Sequence, residues 1–415
     1  MSDIKQVLLR GGPPVHPHVY SKRIYRPDRG VRDGDLVQIA TREGRPCGYG
    51  FWHGRSLISL RVLSYDPDVV PDEAWLRERV RAAAALRTDV LHLEERTDAW
   101  RVIHAEGDGL SGLIVDRYGT TGSVALFSLG WQRRLDELKT VLAEEAGLED
   151  LVVRADAKAA THEGLFVPEP QSREELEIHE DGLRLTVDPA GGHKTGYFLD
   201  QRDNRRRLAQ MARGRTVFDG MTYTGGFALA AAKAGAASVR GMDLDETAIE
   251  RAGKNARLNG LEVDFQHGDV FDALRAYGAG PEEKRPEVLV VDPPKWARDR
   301  SGLGVAIGRY RDLNRLALLA VKPGGLVVTN SCSGLVGVKA FHDVINDAAL
   351  DTRREVRILH EGGAGPDHPV AAVVPESRYL KCLFLAVGPT GSGPGGGERE
   401  RPDRRPRSPR GPKRM

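Results

Sequence analysis

From about residue 185 to residue 388 short apolar runs alternate with longer amphipathic ones. That alternation predicts strands joined by crossover helices, a doubly wound α/β sheet. Strands are expected at Thr216–Asp219, Ser238–Asp243, Val263–His267, Val288–Asp292, Leu326–Asn330, Arg354–Leu359 and Leu380–Val387. Helices fill most of the gaps, notably Glu246–Leu258 and Tyr310–Val321. In such a sheet ligands sit at the carboxyl ends of the strands, so the chemistry is sought there.

Those ends carry an ordered set of residues. The first strand runs through Asp219 into Gly220-Met-Thr-Tyr-Thr-Gly-Gly-Phe227 and an alanine-rich segment. Glycine there lets a ligand approach the backbone and a helix start against the sheet. The spacing is not GxGxxG and no Walker lysine follows, which argues against nucleoside triphosphates and standard dinucleotides. Asp243 ends the second strand about 20 residues further on, suited to ribose hydroxyls. Asp269 follows the third and suits an adenine amino group. Singly, each Asp reads equally as a helix N-cap. Together, Asp219, Tyr223, Thr224, Gly225, Gly226, Asp243 and Asp269 point to a nucleoside-type cofactor without a pyrophosphate.

The fourth strand ends Asp292-Pro-Pro-Lys295. The two prolines remove two N–H groups and stiffen the loop, which suits gripping the amide-like edge of a planar base. Asp292 is therefore a candidate catalytic residue, and Pro293, Pro294 and Lys295 are candidate substrate-binding residues. The fifth strand ends Asn330-Ser-Cys-Ser-Gly334. Cys47 and Cys382 read as small core residues. Cys332 differs, because it leaves its strand at the ligand edge among hydroxyls and glycine, beside the Asp292 strand.

At 415 residues the chain has room for two or three domains. Residues 1–68 read as a small β-rich domain, with Lys22 and Arg23 in an aromatic, basic stretch suited to RNA. Residues 69–184 read as an α+β module, with helices at 72–96 and about 132–146, short strands, and a tight turn at Asp108-Gly109. Residues 185–390 hold the doubly wound sheet. Residues 391–415 lack large apolar side chains apart from Met415 and are expected to be disordered. The net charge of +2 conceals +6 over residues 1–64 and +5 over 391–415, around a body of −9. Basic ends suit an anionic partner, although a solvated surface reads the same way. No run matches a membrane helix or a secretory signal, and three scattered cysteines exclude a disulfide framework and a cysteine zinc site. A cytoplasmic protein without metal or membrane partner is expected.

With these motifs in order, the chain resembles the RlmI-type S-adenosylmethionine-dependent 23S rRNA cytosine-5 methyltransferases over roughly residues 10–388. Gly192-His-Lys-Thr-Gly-Tyr-Phe-Leu-Asp-Gln-Arg202, Tyr223-Thr-Gly-Gly-Phe227, Asp292-Pro-Pro-Lys295, Asn330-Ser-Cys-Ser-Gly334 and Asp367-His-Pro369 carry the resemblance. It implies an N-terminal PUA domain, a central α+β domain and a class I methyltransferase domain. It also implies S-adenosylmethionine as methyl donor, 23S rRNA or a large-subunit precursor as partner, and Cys332 as the catalytic cysteine beside Asp292. The chain departs at Gly220-Met-Thr222, where other members often have Cys-Phe-Ser. Related RNA methyltransferases can carry a second cysteine where this chain has Lys295, a residue suited either to lowering the thiol pKa or to binding phosphate. Two rival readings remain: transfer to an exocyclic base nitrogen, which needs no cysteine, and a non-catalytic RNA-binding assembly factor. Monomer and dimer are both compatible with the sequence.

Overall fold

The computed structural model describes residues 4–155, 157–166, 175–190 and 197–394. The Gly192–Gly196 part of the first motif and residues 395–415 of the basic tail lie outside the described residues.

The C-terminal sheet has seven strands: β1 (Thr216–Gly220), β2 (Ser238–Asp243), β3 (Asp264–His267), β4 (Val288–Val291), β5 (Leu326–Ser331), β6 (Arg354–Gly362) and β7 (Lys381–Thr390). Their order is β3-β2-β1-β4-β5-β7-β6, parallel except for β7, which pairs antiparallel with both neighbours. Helices α1 (Arg202–Ala212), α2 (Gly226–Lys233), α3 (Glu246–Leu258), α4 (Val270–Ala279), α5 (Leu303–Ala320) and α6 (Val338–Thr352) cover it. The all-apolar run of β4 is buried on both sides, as a central parallel strand requires. Leu289 and Val291 join Leu274, Tyr310 and Phe341 on one face, whereas Val288 and Val290 join Leu208, Phe227 and Phe384 on the other. Helix α3 matches its expected bounds, fixed by Asp245 accepting from the Ala248 N–H at 3.0 Å. Helix α5 starts seven residues before Tyr310.

Upstream lies a six-stranded sheet between Gln6 and Ser64, then a four-stranded sheet between Ala99 and Ala155. These two regions share a core. Phe51 meets Trp131 edge-on at 5.1 Å, and Leu63 and Trp75 join the same cluster. The long helix expected over 72–96 ends at Ala85, followed by a wider turn over Leu86–Val90 and a left-handed His92. Buried Arg87 accounts for the change: its guanidinium donates to Asp108 and to the Ala83, Arg101 and Asp367 carbonyls, and these partners fix the backbone. The helix expected at 132–146 is instead two, Leu129–Arg133 and Leu135–Ala146, broken at Arg134. Asp108 closes a short helical turn that ends on Gly109 at φ 72°.

A hairpin, Leu176–Glu180 with Leu183–Val187, straddles the boundary expected at 184/185. Its turn is Asp181-Gly182, both at positive φ, the strongest short hairpin signal in a sequence. Ile178, Leu183 and Leu185 pack between Ala99 and Tyr118 on one side and Leu199 and Leu229 on the other. The hairpin thus glues the central module to the seven-stranded sheet.

Candidate active site

The carboxyl ends of β1 and β2 form one half of the candidate site. Asp219 is fully buried at the end of β1, and its Oδ2 accepts from Thr222 Oγ1 at 2.5 Å and the Ala228 N–H at 2.9 Å. Burial raises its pKa to about 7 despite those two bonds, and the nearby Asp292 and Asp243 charges push the same way. Its Oδ1 is buried with no hydrogen-bond partner among the described residues. Between Asp219 and α2 the chain takes positive φ at Met221, Tyr223 and Gly225. Left-handed backbone at two non-glycine residues is strain that only a well-anchored loop retains. The anchors are the Met221 and Thr222 N–H groups, both donating to the Met242 carbonyl, and the Tyr223 N–H donating to Asp243 Oδ2 at 2.8 Å. A Cβ on Gly225 would sit 2.7 Å from the Phe265 ring, so this position needs glycine on two grounds. Thr224 is buried beneath the loop, Gly226 opens α2, and Tyr223 meets Phe198 edge-on at 5.1 Å.

Asp243 also accepts from the Asp245 N–H at 3.0 Å, yet a carboxylate has about four acceptor positions and keeps capacity for a ligand. Asp269 is exposed and caps α4 through the Phe271 N–H at 2.7 Å. The N-cap reading of Asp269 therefore describes its geometry.

The other half lies at β4, β5 and β7. Asp292 leaves β4 with Pro293 buried and Pro294 and Lys295 exposed. Buried Gln201, just before α1, donates to Asp292 Oδ2 at 3.0 Å and to Asn330 Oδ1 at 3.3 Å. Asn204 Nδ2 in turn donates to Gln201 Oε1 at 2.6 Å. The Cys332 thiol follows β5, half-buried, 3.9 Å from the Pro293 carbonyl. The structure thus brings Cys332 and the Asp292-Pro-Pro loop to one corner. Lys22 and Arg23 lie elsewhere, in a short helical turn of the N-terminal sheet, where Arg23 donates to the Gly12 carbonyl.

The sequence did not single out Gln201, Asn330 or Lys381. Gln201 and Asn330 each stood within a motif that carries the resemblance, which was the available signal. Lys381 is buried at the start of β7, opposite Ser331, and donates to the Ser333 and Tyr379 carbonyls at 2.7 Å each. Asp367 is a structural member. It accepts from Arg202 and the Arg101 N–H, and burial of its carboxyl is outweighed by His368 and Arg202, so its pKa is held well below the usual range.

An S-adenosylmethionine-dependent methyltransferase family model matches residues 128–360, and a PUA-like domain model matches residues 15–65. The ribosomal RNA large subunit methyltransferase I of Shewanella denitrificans is 37% identical over 381 residues, covering 90% of this chain and 95% of that protein. Its counterpart in Aeromonas salmonicida is 37% identical over 379 residues, covering 89% and 95%. The chain belongs to this family of S-adenosylmethionine-dependent methyltransferases. Among solved structures, SMU.776, a methyltransferase complexed with SAH, superposes on the family member described here with a TM-score of 0.77 at 20% identity, covering 92% of this chain and all of that one. A methyltransferase from Streptococcus mutans gives 0.74 over the same coverage. The expected class I fold with an N-terminal PUA-like domain is therefore correct, as is the cofactor. The methyltransferase's own residues fit that donor: the strained Met221–Gly225 cradle and the unpartnered Asp219 Oδ1 leave a polar, close-approach site beside Asp243.

Proposed function

We propose that this methyltransferase modifies C5 of a cytosine in large-subunit (23S) rRNA through a covalent Cys332–C6 adduct. The large-subunit rRNA methyltransferases among its relatives support the substrate class, and the observation that carries the chemistry is the thiol of Cys332 at the corner shared with Asp292. The Asp219–Gly226 loop, Asp243 and Asp269 would hold S-adenosylmethionine, which would supply an electrophilic methyl group and leave as the neutral thioether S-adenosylhomocysteine.

Cytosine C5 is a weak nucleophile, so the protein must raise its electron density. The Cys332 thiolate adds to C6, forming an S–C6 bond and moving the C5=C6 π electrons into the ring, which becomes enamine-like at C5. Asp292, oriented by Gln201, holds the N3 and amino edge of the base by accepting from the exocyclic amino group. Pro293 and Pro294 keep that loop stiff, and exposed Lys295 is available to meet a phosphate of the RNA. Once C5 carries the methyl group, a base takes the C5 proton, the C5=C6 bond re-forms, and the thiolate leaves. Lys22 and Arg23 contribute phosphate attraction from the N-terminal sheet.

RNA carrying 5-fluorocytosine at the target position tests the reading. Fluorine at C5 cannot leave as a cation, so elimination stops after methyl transfer. The expected product is an RNA–protein adduct that survives denaturing electrophoresis and maps to Cys332. Efficient methylation without an adduct, or an adduct on Cys47 or Cys382, would reject the assignment in favour of transfer to an exocyclic nitrogen.

A further inference from the structure

The corner that holds Cys332 also holds a buried cation to which the chemistry above assigns no task. Lys381 is only 4% exposed, yet its partners are two neutral carbonyls, one of them Ser333, the residue next to Cys332. Strand register explains the placement: β7 runs antiparallel to β5 with Ser331 opposite Lys381, so the lysine lies beside the exit of the strand that carries the thiol. An ammonium has three donors, and two are engaged. A buried charge is normally paired, and a lysine with no carboxylate partner among the described residues has a reason to be sought in this corner.

The ionisable groups acting on this corner come from three elements. Asp292 and Lys295 lie on the loop after β4, Tyr310 comes from α5, and Lys381 from β7. Tyr310 donates to or accepts from Ser333 Oγ at 3.1 Å, and burial raises its pKa, so it is neutral near pH 7. Asp292 opposes a thiolate, because two anions in one partly dry corner repel. Lys295 is exposed and screened by solvent, whereas Lys381 is fixed by two hydrogen bonds and sheltered.

We propose that Lys381 is a positioning residue that lowers the thiol pKa of Cys332 and offsets the Asp292 charge, so that the thiolate forms near neutral pH. Burial brings the lysine's own pKa down to about 8 although the Cys332 charge acts to raise it and Lys295 adds to the lowering. The ammonium is thus retained through neutrality and lost above about pH 8, and the thiolate loses its support there. This role rests on the proposed Cys332 chemistry for its purpose, but the electrostatic effect is measurable without any RNA.

The test is the pH dependence of Cys332 alkylation by iodoacetamide in the full-length protein, read by mass spectrometry of the Cys332 peptide. Wild-type protein should reach half-maximal reactivity below about 8.5, the value of an ordinary free cysteine. Lys381→Gln retains amide donors for the two carbonyls but removes the charge. It should move the midpoint up by about one unit or more, a roughly tenfold loss of reactivity at pH 7. Lys381→Arg should restore most of the shift, and Lys295→Ala should move the midpoint less than Lys381→Gln does. Calorimetric S-adenosylmethionine binding checks that each variant is folded. A wild-type midpoint at or above about 8.5, or an unmoved midpoint in folded Lys381→Gln, would overturn the proposal. An unmoved midpoint together with a 5-fluorocytosine adduct at Cys332 removes the lysine's role alone. A shifted midpoint without any adduct removes the nucleophile and leaves the electrostatics standing.

Discussion

The two halves of the pocket are built by different means. On the β1–β2 side every placed carboxylate is tied to backbone: Asp219 to Ala228, Asp243 to Tyr223 and Asp245, and Asp269 to Phe271. On the β4–β5–β7 side the ties run between side chains and loops distant in sequence, Gln201 to Asp292 and Asn330, and Lys381 to Ser333. Backbone ties fix a loop whether or not a ligand is present, which suits holding one cofactor in one pose. Side-chain ties tune the reactivity of individual groups, which suits chemistry. The comparison therefore predicts that substitutions on the first side cost affinity and those on the second cost turnover.

The largest expected effect lies at Cys332. Cys332→Ala should lower kcat by about a thousandfold or more, as loss of a nucleophile does, while the S-adenosylmethionine dissociation constant stays within about twofold. Cys382 provides the contrast. It sits on β7 opposite Asn330, fully buried, and burial pushes its thiol pKa well up. Cys382→Ala should retain turnover and cost only a modest amount of stability. Residual turnover near wild type in Cys332→Ala, measured as tritiated methyl incorporation into rRNA, would erase the division between the halves.

Next in size is the cost of burying Asp219. Its folded pKa of about 7 exceeds the usual value of about 3.9 in an unfolded chain. Between about pH 4 and 7 the folded protein therefore retains a proton that the unfolded chain has released. Stability falls as pH rises through that window and levels off above it, by a few kcal/mol. Asp219→Asn retains an oxygen for Thr222 and Ala228 but cannot ionise. Urea midpoints from pH 4 to 8 should show the slope in wild type and a flatter line in the variant. An identical slope in both would place the titration elsewhere.

Asp243→Ala removes an acceptor from the cofactor side and also leaves the Tyr223 N–H without its partner. A charge-assisted acceptor is worth about 1.5–3 kcal/mol, so S-adenosylmethionine should bind roughly tenfold to a hundredfold more weakly in calorimetry. The alkylation profile of Cys332 should not move. An unchanged dissociation constant would take Asp243 out of the cofactor site.

What the sequence made legible follows the same division. Asp219, Gly225 and Asp243 stand within 25 residues of one another, and the glycines, the strand periodicity and the spacing are local signals. The Asp292-Pro-Pro motif and Cys332 were legible because each sits at the end of a predicted strand. Lys381 was not, because its meaning depends on β7 inserting antiparallel between β5 and β6, and register between strands is written in no local pattern. The break after Ala85 was hidden for a similar reason: the apolar stripe continues, but Arg87 bonds to Asp108 and to Asp367, a residue 280 positions away. The Asp181-Gly182 hairpin is different, since its local signal was present and went unread beside the stronger strand–helix alternation.

The smallest expected effect concerns the N-terminal sheet, and the fold dictates how to measure it. Removing residues 1–68 would strip Phe51 and Leu63 from the core they share with Trp75 and Trp131, and a Cβ on Gly130 would already lie 2.2 Å from the Phe51 ring. Truncation would therefore report on folding. Lys22 and Arg23 lie outside that core, and their substitution removes only the Arg23 bond to the Gly12 carbonyl besides the two charges, so it reports on RNA far more directly. Each phosphate contact to single-stranded RNA contributes about 0.7 to the slope of log affinity against log salt. The Lys22→Ala, Arg23→Ala double variant should thus bind RNA a few-fold more weakly at physiological salt, with a slope shallower by about 1.4 if both side chains touch phosphate. The S-adenosylmethionine dissociation constant and the Cys332 alkylation midpoint should both stay at wild-type values, because neither half of the pocket draws a side chain from that turn. A salt slope unchanged in the double variant would show that the basic stretch of the N-terminal sheet faces solvent rather than RNA, and would leave exposed Lys295 as the charge that meets the substrate.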